Sequence, residues 1–433
     1  MELRFSAKDN RLILSRLAAR GQLVRLMRGV YCDADAFEAL DACGKYTLTA
    51  QAIMESYPHL RPFGVTAAAL LGAIPVTVPE KYHFSDDRRS GRAGRSKFMQ
   101  TKHAFIQIHS MSAGLAPRAP VARNTQGGAK GLSRGNAATL RPDRKTVLAT
   151  ILEVASSMDI PEGVAVINQL LRLFAEASRS GIATSSASLA GGSARCMPGR
   201  RVVEKALAST GAQHTCIALN AYRKYGFRYQ KTDALITEAL GLVCATRGMR
   251  HRARAVKALL LATDLADSVA ESMLYAKICL LGFAAPLIQI NLYAKPKAGG
   301  DRQFLARPDG LWALADGATA GVRYFEETGE LRPGTDLASA RLSANIISDR
   351  GMILTPDVAR QLLLLEFDGR FKYFELAEGR GTGTGDAVYR SHVRQDRVTN
   401  LGARFVRLRW EDLMDDEAVK GILLAAGAPR INV

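Results

Sequence analysis

The sequence predicts a multidomain α/β protein: an N-terminal helix-and-hairpin region, a helical middle region and a C-terminal αβββαβ domain. Three observations carry this. The chain has 433 residues, whereas single cores rarely grow beyond roughly 250. Its hydrophobic content is 47%, ample for packed domains rather than disorder. After Asp267 the apolar pattern changes from helical periodicity to alternating helix and strand. The expected parts are residues 1–110, a basic linker or insertion at 111–143, a helical domain at 144–266, and the αβββαβ domain at 267–433.

The first helix has Ser6 and Asp9 spaced as a capping box, with Ala7 at the first helical position. Ile13, Leu14, Leu17 and Ala18 form an apolar stripe at helical spacing, and Lys8, Arg11, Arg16 and Arg20 lie outside it. Gly21 is placed to close the helix in a left-handed cap. Short strands at 23–26 and 30–32 follow, joined by Met27-Arg28-Gly29. A helix and then a tight basic hairpin is the C-terminal half of a winged helix-turn-helix. There the helix enters the major groove and the wing touches phosphates. Arg11, Arg16, Arg25 and Arg28 are the candidate nucleic-acid contacts.

Residues 48–56 and 65–71 read as helices, and strands are expected at 81–84 and 104–109. Residues 111–143 are rich in Gly, Ala, Pro and Arg, the composition of a linker. Helices are expected at 147–155, 164–177 and 232–245, broken by a Ser/Gly/Ala-rich loop at 178–199. The last domain opens with a helix at 268–281 that ends at Gly282. Strands at 287–293, 310–315 and 361–367 follow, then a helix at 386–401 ended by Gly402, a strand at 405–410 and a terminal helix. This αβββαβ order is the core of the restriction-endonuclease-like fold. An insertion at about 319–358 separates its second and third strands.

The charge is uneven. The net formal charge is +18, and residues 1–150 carry 23 Lys and Arg against 11 Asp and Glu. Residues 88–141 contain no acidic residue and eleven basic ones. Such a field attracts polyanions through counterion release. The same stretch also fits a solvated basic linker in an arginine-rich composition. The six cysteines are scattered without Cys-x-x-Cys, and the seven histidines show no His-x-x-x-His. Buried reduced thiols are therefore expected, and zinc chemistry is not. No apolar run approaches the roughly 18 residues of a membrane span. Met1-Glu2-Leu3-Arg4 lacks a secretory apolar core, and a cytoplasmic protein is expected.

Candidate chemistry collects at the ends of the C-terminal strands. Pro308-Asp309 opens the second strand, Glu366-Phe367-Asp368-Gly369 ends the third, and Lys372 follows. Carboxylates on adjacent strands suit Mg²⁺, a hard ion that prefers oxygen ligands. Such an ion acidifies bound water and stabilises a leaving oxygen, while a lysine orients the nucleophile. Asp309, Glu366 and Asp368 are thus candidate metal ligands and, with Lys372, candidate catalytic residues. The spacing of two puts Glu366 and Asp368 on one strand face. Pro-Asp and Asp-Gly also occur as ordinary turn elements. Arg390, Arg394 and Arg397 share a helix face that either tracks phosphates or is simply solvated. Glu271 reads either as a further site carboxylate or as an exposed helix residue. The glycines of 379–385 lack the Lys-Ser/Thr of a phosphate cradle.

Residues 22–31, Gln-Leu-Val-Arg-Leu-Met-Arg-Gly-Val-Tyr, resemble the wing signature of AbiEi-type antitoxins of type IV toxin–antitoxin systems. Residues 61–74 resemble the segment that follows it there. The C-terminal part is similar to the small endonuclease-like domain related to very-short-patch repair endonucleases. Glu271, Gly282, Pro286, Gln289, Asp309, Glu366-Phe-Asp-Gly, Lys372-Tyr373, Asp396, Gly402 and Val406-Arg-Leu-Arg-Trp410 carry that likeness. It departs at Ser391-His392 and Gln395, where Glu-Lys and Glu are expected. The chain also begins close to the presumed recognition helix, short of the first helices of a winged domain. The resemblance implies a DNA-binding transcriptional regulator that neutralises a nucleotidyltransferase toxin. The alternatives are a Mg²⁺-dependent DNA nuclease delivered by its N-terminal region, or an inactive interaction protein.

Overall fold

The computed structural model describes residues 3–5, 11–86, 97–100, 104–109, 142–179, 230–246, 249–294, 303–314, 346–347, 351–368 and 396–430. Two compact units divide the chain: Met1–Ala206 with Tyr229–Leu259, and Leu207–Arg228 with Leu260–Val433. Among the described residues no helix is long and apolar enough to cross a membrane.

The first unit opens with β1 (Arg4–Phe5), α1 (Arg11–Ala19), β2 (Leu23–Met27) and β3 (Val30–Asp33). The strands form an antiparallel sheet in the order β1-β3-β2. Leu14 packs on Leu23 and Tyr31, with Leu17 and Ala18 at the margin. Ile13, expected in the stripe, is 52% exposed: it precedes Leu14 by about 100° of helix turn, beyond the reach of so small a sheet. Gly21 ends α1 with φ 75°. The amides of Gly21 and Gln22 donate to the carbonyls of Ala18 and Leu17, the two bonds of a Schellman ending. The Ser6–Asp9 box lies outside the described residues.

Next come α2 (Ala34–Glu38), α3 (Ala42–Ser56), β4 (Leu60–Pro62), α4 (Val65–Leu70), β5 (Tyr82–Asp86), β6 (Lys97–Gln100) and β7 (Phe105–His109). α3 begins nearly two turns before the expected 48–56 helix, because Asp41 caps it by accepting from the Gly44 amide at 2.7 Å. The second sheet has the order β4-β5-β7-β6, with β5 and β7 parallel and the outer pairs antiparallel. Ile53, Leu60, Phe84 and Ile106 form its core with the hairpin residues Leu26 and Met27. β4 and β6 add to the expected strands, and β6 lies within the acid-free stretch.

Asp143, at the end of the expected linker, caps α5 (Arg144–Ser157), and α6 (Ile160–Arg179), α7 (Gln230–Ala245) and α8 (Arg252–Leu261) follow. Residues on either side of the linker share this unit through specific bonds. Gln169 makes paired 2.8 Å bonds with the Ile74 backbone. Glu153 accepts from the Gly64 amide at 2.9 Å. Gly64 has φ 55° and ψ −123°, a conformation left almost wholly to glycine. Burial pushes the Glu153 carboxyl up to about 8, only partly offset by the Gly64 bond. Cys32 and Cys279 are buried, and desolvation raises their thiols to about 11 and about 12. Cys196 and Cys216 lie outside the described residues.

The second unit contains α9 (Val269–Leu280), β8 (Asn291–Ala294), β9 (Phe304–Ala306), β10 (Gly310–Ala313), β11 (Ile346–Ile347) and β12 (Gly351–Leu354). After these come α10 (Pro356–Ala359), β13 (Leu362–Asp368), β14 (Arg404–Arg409), α11 (Trp410–Leu413) and α12 (Asp416–Ala425). One sheet runs β10-β13-β14, antiparallel then parallel; the other runs β11-β12-β8-β9. Leu292, Leu311, Met352, Leu362 and Leu364 share one core. The expected 287–293 strand is split. Gln289 takes the left-handed conformation, φ 58°, which breaks the pleat. Leu287 exchanges both 2.8 Å backbone bonds with Leu311, whereas β8 pairs with β12 and β9. The last residues of the expected insertion are ordered as β12 and α10, leading straight into β13. Farther on, the Pro429 carbonyl accepts from the Ala284 amide at 2.8 Å, and Arg430 bridges Phe283.

Candidate acidic site at the strand ends

Four half-buried carboxylates, Glu271, Asp309, Glu366 and Asp368, lie around α9 and the ends of β10 and β13. Ser268 positions the first by capping α9, its hydroxyl accepting from the Glu271 amide at 3.1 Å. Glu271 reaches back and accepts from the Asp267 amide at 3.1 Å and from Gln289 Nε2 at 3.4 Å. Glu271 and Asp309 line one small pocket with Tyr275, Ile288 and Leu365. Glu271 is thus half-buried rather than exposed.

The ladder of β10 and β13 ends where Gly310 opposes Leu365, which leaves Asp309 just ahead of β10, at the exit of β13. Asp309 Oδ2 also accepts from the Phe367 amide at 2.7 Å, which locks the entrance of β10 to the exit of β13. Behind them, Trp312 donates from Nε1 to the Ala284 carbonyl at 2.7 Å.

Asp368 follows Glu366 on the same strand face and meets Arg407 of β14, whose Nε is 3.5 Å from Asp368 Oδ2. Arg407 stands in register with Glu366, so a guanidinium flanks both acidic residues. Sequence reasoning missed this contact, because the parallel register of β13 and β14 leaves no local trace in either strand. Gln289 is 5% exposed and its Oε1 has no hydrogen-bond partner. A buried carbonyl oxygen left in this way costs about 1–3 kcal/mol, so this one is suited to accept from a water or to contact a cation.

Among the described residues no group of three or more His, Cys, Asp and Glu side chains is arranged as a metal cage. Mg²⁺ commonly uses only one or two protein carboxylates and keeps several waters. Asp309 and Glu366 are the candidates for such carboxylates, and Gln289 supplies a neutral oxygen next to Glu271. Lys372, Arg390 and Arg394 lie outside the described residues. Arg397 is exposed on the helical turn at 396–400. In the first unit Arg11, Arg16, Arg25 and Arg28 are all exposed, on α1 and around the β2–β3 turn, and Arg25 Nε donates to the Met27 carbonyl at 3.4 Å. Comparison with protein-family models, curated proteins and solved structures gives no match to this chain.

Proposed function

We propose that the protein is a DNA-binding regulator of the antitoxin type, whose C-terminal unit is a restriction-endonuclease-like domain that contacts phosphodiesters. The observation that carries this reading is the 2.7 Å bond from the Phe367 amide to Asp309, which fixes that carboxylate at the exit of β13, the strand that carries Glu366 and Asp368. It is supported by the order α9, Leu287, β10, β13, the 396–400 turn and β14, with antiparallel, antiparallel and parallel pairing. The N-terminal order β1-β3-β2, with α1 ahead of the hairpin, matches the strand order of a winged domain, and its exposed arginines suit phosphate contact. The nucleotidyltransferase partner rests on the resemblance of residues 22–31 and 61–74 alone. A nucleotidyltransferase gene beside this one would support it.

A second reading, a Mg²⁺-dependent DNA nuclease, is favoured by the unpartnered Gln289 Oε1 next to Glu271, which shares a pocket with Asp309. Asp309 and Glu366 would hold the ion, which supplies an acidified water and charge neutralisation at the phosphate. Asp368, facing Arg407, is better suited to hold that guanidinium toward the phosphate than to bind metal itself. Incubating the protein with supercoiled plasmid and Mg²⁺ separates the two. Cleavage lost in both Asp309→Asn and Glu366→Gln establishes the nuclease. Tight binding to the DNA upstream of its own gene without cleavage establishes the regulator, and absence of both leaves an interaction protein.

A further inference from the structure

The outer face of the β4-β5-β7-β6 sheet carries a row of rings that the acidic site does not use. Alternation along the strands sends Phe84 and Ile106 into the core, fully buried, with Met99 and Ile108 beside them. The opposite face therefore carries Phe98 of β6, Phe105, Gln107 and His109 of β7, and His83 of β5. Phe98 and Phe105 are stacked, centroids 5.3 Å apart and planes within 5°. Lys81 Nζ lies 5.3–5.5 Å from the centroids of both rings. Farther along, His83 stacks on His109 at 5.1 Å, and Phe63 stacks on His109 at 4.4 Å.

Phe98 is 55% exposed on an edge strand, a position where natural sheets place charge or proline to prevent association. The ring is stacked on Phe105 and still more than half exposed, so it offers accessible π-surface next to a cation. β6 also belongs to the 88–141 stretch, with eleven basic residues and no acidic one. An exposed ring stacked on a half-buried one, a lysine beside both and a sequence this rich in basic residues complement one class of ligand. Single-stranded nucleic acid presents bases that stack and phosphates that need cations. A protein partner would use the rings but leave the basic charge unanswered. Duplex DNA, with its bases already stacked, would use the charge but not the rings.

We propose that this sheet face binds single-stranded DNA, with a base stacked on Phe98 and a flanking phosphate at Lys81. The choice of DNA over RNA rests on the DNA reading given above; the stacking site does not. The test is fluorescence anisotropy of the full chain with labelled oligo(dT) of about 12 nucleotides, within the usual site size. Phe98→Ala is expected to weaken binding about tenfold with an unchanged Tm, while Phe98→Trp keeps it. Lys81→Ala is expected to weaken binding and flatten its salt dependence. Affinity for a duplex of the same length is expected to stay the same in Phe98→Ala. Equal affinity of wild type and Phe98→Ala for oligo(dT), or an equal loss on duplex and single strand, overturns the proposal. Tighter binding of oligo(rU) than oligo(dT) overturns the assignment to DNA. Because Phe98 belongs to neither the wing nor the acidic pair, these outcomes leave plasmid cleavage and promoter binding unaltered.

Discussion

Asp309 has two roles that a single substitution separates. Its carboxylate holds the Phe367 amide and supplies negative charge at the exit of β13. Asparagine keeps an acceptor and loses the charge; alanine loses both. Asp309→Ala should therefore lower stability by about 1–2 kcal/mol and Asp309→Asn by less. In thermal melts, any rise of Tm with added Mg²⁺ should vanish equally in the two. A Mg²⁺ effect that survives in the asparagine variant would remove Asp309 from the ion's ligands. Glu153 makes a different kind of residue-scale prediction. Its folded pKa of about 8 lies above the ordinary 4.5, so its stabilising contribution is complete below 4.5 and is lost as the pH rises to 8. Glutamine retains an acceptor for the Gly64 amide and cannot ionise. Glu153→Gln should be neutral near pH 4 and stabilise by up to about 5 kcal/mol near pH 9. Identical melting curves at both pH values would contradict a buried neutral carboxyl. Desolvation and the neighbouring His83 lower His109 to about 4, which acts in the opposite sense and costs stability as the pH falls below 6.5.

At the scale of elements, the hairpin β2–β3 and the turn before β14 each give a test. Arg25 and Arg28 flank the tip of the hairpin, where Gly29 has φ 81°. If the hairpin is a wing on phosphate, Arg25→Ala and Arg28→Ala should weaken binding to every duplex and reduce the salt slope by about one each. Loss confined to one sequence would mean base reading instead. Gly402 has φ 102°, and a Cβ there would stand 2.7 Å from Arg360 Cγ. Gly402→Ala should cost about 1–2 kcal/mol in chemical denaturation and loosen β14 from β13. The ends of α1 and α9 were legible because Gly21, Ser268 and Gly282 are strong local signals. The break at Gln289 was not: a left-handed residue other than glycine is imposed by its tertiary setting and leaves no mark in composition. The strand β6 was hidden because its four residues sit in the acid-free stretch, where basic charge rather than apolar alternation dominated the pattern. Of the site, Asp309 and Glu366 could be read as strand-end carboxylates and Glu271 as one of two alternatives, but the pocket that Glu271 shares with Asp309 could not be read. That pocket depends on how α9 packs near the mouth of β10, through Gln289.

At the scale of the whole molecule, the charge and the two units are distributed differently. The basic excess lies mostly in the first 150 residues, while the acidic cluster lies in the second unit. Sequence periodicity separated residues 1–110 from the helices after 144, yet Glu153 and Gln169 tie those helices to the segment after Leu60 within one unit. Each bond joins residues roughly ninety apart, and no local pattern encodes such a pairing. The second unit has its own long closures, β8 with β12 and β13 with β14. Its opening segment is fastened last, by Phe283 and Ala284 to Pro429 and Arg430. That fastening sets an order of events during synthesis. The last piece of the first unit is complete at Leu259, so this unit can fold while translation continues. The second waits until residue 430 has left the ribosome, with the apolar strand β13 exposed meanwhile. A ribosome paused before that point would carry one folded unit and one segment that chaperones should hold.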